Sequence, residues 1–121
     1  MINNMQSDPF NYSILINTAN HTLTLYRNGI FYKQYPVAAG KAATPTPKGN
    51  YKIINKAVNP GGAFGIRWLG LNIPAGGYGI HGTNNPASIG RSISKGCIRM
   101  YNKDIIELYR LVSIGTPVKI I

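Results

Sequence analysis

Residues 22–37 read TLTLYRNGIFYKQYPV, two extended runs hinged on Asn28-Gly29. In the first run Leu23 and Leu25 fall on one face, and Thr22, Thr24 and Tyr26 on the other. That is the period of two expected of a strand with one buried face. Asn-Gly between two such runs is a strong hairpin signal, because both central residues of a type I′ turn need positive φ. Working outward, YSILIN at 12–17 is a further β-type run, and residues 51–58, 66–73, 78–81 and 116–121 have the same character. Between them stand breakers: Thr44-Pro45-Thr46-Pro47-Lys48-Gly49, Pro60-Gly61-Gly62, and the turn at 74–77. One segment has helical period. Asn102 can cap a helix over 103–112, Asp104 suits its first turn, and Ile105, Leu108, Tyr109 and Val112 form one apolar stripe. Gly115 suits the residue past its end. The sum is a mainly β, mostly antiparallel domain with one short helix in its C-terminal half.

The 121 residues fit a single domain over 12–121, preceded by a polar extension at 1–11. That start lacks the apolar run of a signal peptide, and no segment approaches the ~20 apolar residues of a membrane span. Thirteen Lys and Arg against three acids give a net charge of +10. A field of that sign attracts polyanions: nucleic acid, cell-wall polymer or an anionic membrane surface. The acids are Asp8, Asp104 and Glu107, the last two expected on one exposed helix face. A glycosidase with two carboxylates across a cleft is hard to build from these. His21, His81 and Cys97 are the only soft ligands, without metal-site spacing. Transfer or hydrolysis would therefore fall to a nucleophilic side chain.

The one cysteine, Cys97, sits in Ser94-Lys95-Gly96-Cys97-Ile98-Arg99-Met100. Gly96 removes a side chain beside the sulfur and lets backbone N–H groups approach a bound carbonyl. Lys95 and Arg99 bracket the thiol with positive charge, which favours thiolate. His81, sixteen positions earlier, could take the proton; His21 is the other possible base. Separation in sequence does not establish contact. A buried structural thiol and a hydrogen-bonded histidine are the alternatives at this point.

Together, His81-Gly82-Thr83, Ile89-Gly90 and Ser94-Lys95-Gly96-Cys97-Ile98-Arg99-Met100 resemble the signature of the YkuD-type L,D-transpeptidase catalytic domain. Thr44 to Gly49 followed by Tyr51 is similar to a second block of that family. The likeness covers residues 13–121. It implies an antiparallel β-sandwich with a short helix packed on it, and an enzyme without metal or organic cofactor. The expected donor is a peptidoglycan stem tetrapeptide. Attack on the carbonyl before the terminal D-Ala would give a thioester, and a neighbouring stem amine would receive the acyl group in a 3→3 cross-link. By motif position, Cys97 would be the nucleophile and His81 the proton carrier. The Gly82 carbonyl would orient the imidazole, where other triads use an acid. Gly96 and Cys97 N–H groups would hold the oxyanion, Ser94 would support the loop, and Arg99 would meet a substrate carboxylate.

Two departures stand out. Many members carry His directly before the Gly-Cys pair, where this chain has Lys95. Relatives also often add a wall-binding module, a role the +10 charge could take by holding the protein on anionic wall polymers. The resemblance points to the cell wall, a secreted protein or a spore envelope, acting as a monomer. Competing readings are an L,D-carboxypeptidase on the same site, a non-catalytic basic module for wall polymer or nucleic acid, and a redox-sensing thiol. Basic and aromatic residues interleave only at Tyr26-Arg27 and Tyr32-Lys33, so nucleic acid is not expected as a partner.

Overall fold

The Asn28-Gly29 turn forms as its residue types require, with φ of 54° and 79°. It joins β2 (Thr22–Arg27) to β3 (Ile30–Gly40), and β1 (Tyr12–Asn17) pairs antiparallel with β2 on the other side. The computed structural model describes residues 10–121. Residues 1–9 of the polar extension, Asp8 among them, lie outside the described residues. The chain continues through β4 (Gly49–Val58), β5 (Arg67–Leu71), β6 (Gly79–His81), β7 (Ser92–Ser94), β8 (Ile98–Met100), helix α1 (Asn102–Leu111) and β9 (Pro117–Ile120). Short 3-10 turns occupy Gly62–Phe64 and Pro86–Ser88.

The strand order is β2-β1-β9-β4-β5-β6-β8-β3-β7, and β2 also pairs with β3. Eight strands therefore close into a ring, with β7 added beside β3. Among the described residues the fold is mainly β with one helix, as expected, but in place of the expected antiparallel sandwich the sheet closes like a barrel and is not wholly antiparallel. The two longest strands are the reason. In β3, residues 30–36 pair with β2, while Val37 and Ala38 pair with β8. In β4, residues 49–52 pair with β9, and Ile53 onward pairs with β5. Strands that pass from one half of a sheet to the other make corners and remove open edges. Three pairs are parallel: β1–β9, β6–β8 and β3–β7. A parallel pair needs a crossover of a dozen or more residues. Residues 82–97 supply it between β6 and β8.

The inner face of the ring is apolar. Ile16, Leu23, Leu25, Ile53, Leu69 and Ile80 are wholly buried. Helix α1 adds the predicted stripe, with Ile105 and Leu108 buried and Tyr109 packed at the margin, and Val112 is buried just past its end. Its termini differ from expectation. Tyr101 occupies the cap position and Asn102 opens the helix, because the Asn102 carboxamide is engaged elsewhere. The helix stops at Leu111, and Gly115, at φ 98°, shapes the turn into β9 by donating to the Ile53 carbonyl at 2.7 Å. Lys56 of β4 donates to the Tyr109 and Val112 carbonyls at 2.7 and 2.8 Å, supplying partners where a helix end leaves carbonyls unpaired. The two helix acids do not share an exposed face. Asp104 is buried, and Glu107 Oε1 accepts from both Lys33 Nζ and Tyr35 Oη at 2.6 Å.

Candidate active site

The crossover decides where the chemistry-bearing residues meet. In the parallel β6–β8 pair Ile80 lies opposite Ile98 and His81 opposite Arg99. Ile80 and Ile98 face the core, so by alternation His81, Arg99 and Cys97 share the opposite face. Cys97, at the entrance to β8, falls beside Gly79. His81 and Cys97 are thus diagonal neighbours, about 8 Å apart between Cα atoms from strand spacing.

His81 is only 3% exposed. Its Nδ1 lies 2.6 Å from the Gly82 carbonyl oxygen. A carbonyl can only accept, so Nδ1 carries the hydrogen and Nε2 keeps its lone pair. Trp68, the antiparallel partner of His81 on β5, stacks on the imidazole at 5.9 Å and 21° between planes. Phe64 meets the same ring edge-on at 5.3 Å. Burial pushes the imidazole below its usual titration range. The Gly82 hydrogen bond opposes that shift, and the Arg99 charge adds to it.

Cys97 is partly exposed, and its Sγ lies 3.6 Å from the Gly77 carbonyl oxygen. Burial pushes the thiol above its usual range, against the opposing pull of a Gly79 backbone hydrogen bond and the Arg99 charge. Arg99 thus favours thiolate as expected, but Lys95, also expected to, is not among the groups that act on the thiol. Lys95 points to solvent, and desolvation outweighs Arg99. Both shifts run toward the neutral forms, thiol and imidazole.

The loop before Cys97 is braced from two sides. Ser94, buried, accepts the Gly96 N–H at 3.0 Å and donates to the Cys97 carbonyl at 2.6 Å. The Gly96 N–H, expected as an oxyanion donor, is thus already engaged. From the Thr-Pro segment, Thr46 Oγ1 donates to the Gly96 carbonyl at 2.8 Å and accepts the Gly40 N–H at 3.0 Å. Thr44 Oγ1 donates to the Ser94 carbonyl at 3.0 Å. Gly96 has φ 122°, and a Cβ there would stand 2.5 Å from the Tyr78 ring, so a side chain is excluded twice over. A Cβ on Gly82 would strike Asn102 Oδ1, which accepts the Thr83 N–H at 3.0 Å. Arg99 takes part in neither ion pair among the described residues. His21 is bonded to Ser92 Oγ at 2.7 Å.

Sequence reasoning missed Trp68, Asn102, Tyr78 and the bracing by Thr46. None carries reactive chemistry, so only their contacts reveal them. Among the described residues no three His, Cys, Asp or Glu side chains group together, and no helix is long and apolar enough to cross a membrane.

A thiol and a tautomer-fixed imidazole on one face of a closed β-sheet, beside a braced glycine-containing loop, have the layout of a nucleophile and its base. The model of the L,D-transpeptidase catalytic domain (YkuD) matches residues 11–120, and the chain belongs to that family. YkuD of Bacillus subtilis (strain 168) is 54% identical over 115 residues, which cover 93% of this chain and 69% of that protein. The catalytic domain of the E. faecium L,D-transpeptidase is 26% identical with a TM-score of 0.74, over 92% of this chain and 97% of that one. The L,D-transpeptidase 3 from Mycobacterium tuberculosis, in complex with a faropenem-derived adduct, is 18% identical. It superposes with a TM-score of 0.80 over 92% of this chain, which spans 60% of that one.

Proposed function

We propose that the protein is a cysteine-dependent L,D-transpeptidase that forms 3→3 cross-links between peptidoglycan stem peptides. The observation that carries this reading is the His81–Gly82 hydrogen bond, which leaves Nε2 as a free base on the face that Cys97 shares. As the Cys97 sulfur attacks the carbonyl before the terminal D-Ala, its proton passes to His81 Nε2. The tetrahedral intermediate collapses to a thioester, and the leaving D-Ala amine takes the proton. A stem amine then attacks the thioester, gives its proton to His81, and the thiol is restored. With the Gly96 N–H held by Ser94, the Cys97 N–H is the donor suited to the developing oxyanion. Arg99, on the same face and in no ion pair among the described residues, suits a donor carboxylate. The site of action that follows is the cell wall or a spore envelope, with the protein acting as a monomer.

Mass analysis of products from tetrapeptide-bearing muropeptides tests this. Cross-linked dimers with release of D-Ala are expected from the wild type and not from Cys97→Ala. Trimmed tripeptide as the sole product would make the protein an L,D-carboxypeptidase on the same residues.

A further inference from the structure

The imidazole of His81 lies against an indole whose own position is built from three residues on three strands and from Phe64 on the turn before β5. Trp68 Nε1 donates to Asn55 Oδ1 of β4 at 2.9 Å. Asn55 can sit there only because its neighbour across the sheet is Gly70; any Cβ at that position would collide with the carboxamide. The indole in turn passes over Gly79, where a Cβ would stand 2.6 Å from its ring. Gly79 pairs with Gly70, so two facing glycines open the outer surface of β5 and β6 into a shallow trough. Asn55 fixes one edge of the indole in that trough. Phe64 closes on the remaining side, edge-on to both the indole (4.8 Å) and the imidazole.

We propose that Trp68, anchored by Asn55, is a positioning residue for His81: it holds the imidazole plane and keeps water from it. The proposal rests on reading His81 as the proton carrier. A strand residue on an outer face would ordinarily be free to change rotamer. The Gly82 carbonyl restrains only Nδ1, leaving rotation about that bond, and a flat ring at stacking distance removes it. The titratable and charged groups facing the imidazole are Cys97 and Arg99 on the β8 side; β5 and the Gly62–Phe64 turn present the rings of Trp68 and Phe64. Removing the indole admits water, which favours the imidazolium, whereas a merely structural role would not touch the titration of His81.

The test is a proton NMR titration of the whole chain, with His81 distinguished from His21, the other histidine, by His81→Gln. Trp68→Leu should raise the His81 midpoint by about half a unit or more, and Asn55→Ala should move it in the same direction. Trp68→Phe should stay near the wild type. Asn55→Ala added to Trp68→Phe should then have no further effect, since phenylalanine has no N–H to anchor. Trp68→Leu or Asn55→Ala titrating like the wild type in a folded chain would overturn the proposal; should Trp68→Leu fail to fold, Asn55→Ala decides. The carbapenem acylation rate of Cys97, measured in parallel, should fall at least about tenfold in Trp68→Leu. A wild type that takes no adduct would defeat the functional reading while the titration still judged the anchor.

Discussion

Cys97 and His81 have their titrations pushed apart in the direction that keeps both neutral. A thiol that must be deprotonated during attack depends on its base more than a preformed thiolate does. Iodoacetamide alkylation of Cys97 should therefore rise with pH only above the usual thiol range. A rate already maximal near pH 7 would show a preformed ion pair instead. The same residue sets a stability trend. Below the ordinary imidazole range, near pH 6.5, an unfolded His81 takes up a proton that the folded one refuses. The unfolded state then binds more protons, so stability should fall as pH drops from that range to the lower folded value. Urea midpoints across that window should show this in wild type and less in His81→Gln. Gly96→Ala combines a disfavoured φ with a clash against Tyr78, and should abolish adduct formation at Cys97. Full acylation of that variant would mean the loop is free to reshape.

At the scale of elements, the Thr-Pro segment is the outer brace of the Cys97 loop. Thr46→Val keeps the shape and removes two hydrogen bonds, leaving the Gly96 carbonyl and Gly40 N–H unpaired. A loss of about 1–3 kcal/mol in denaturant unfolding is expected, with slower acylation. Lys56→Met should cost about 1–2 kcal/mol by stripping the carbonyls at the end of α1, without changing which residue is acylated. The elements themselves were unequally legible. The β2–β3 hairpin carries period-two alternation in β2 and an Asn28-Gly29 turn, and α1 carries two buried apolar residues, Ile105 and Leu108, at helical spacing. Strands β7 and β8 are three residues each, too short to carry a period, and they exist because β3 offers them partners. Asn102 resembles a cap by residue type, but the Thr83 N–H competes for its side chain. Cys97 and His81 could be picked out by chemistry. The parallel crossover that joins them, and Trp68 between β5 and β6, follow from pairing that no local pattern records.

For the whole molecule, the ring closed by β3 and β4 explains how so small a domain presents a precise outer face. Both corner strands pass through it, so the site rests on the core and not on a mobile edge. The chain spans 60% of the length of the Mycobacterium tuberculosis relative, and the net charge of +10 is the feature proposed to hold it on anionic wall polymer. Binding to isolated walls should weaken steeply as salt rises; binding indifferent to salt would remove charge as the cause. The central claim is that Cys97 is an activated nucleophile in a peptidoglycan-type site. Intact-protein mass spectrometry after incubation with a carbapenem tests it most directly, comparing wild type with Cys97→Ala. An acyl adduct on the wild type that is missing from the variant is the predicted result; a folded wild type that stays unmodified would contradict it.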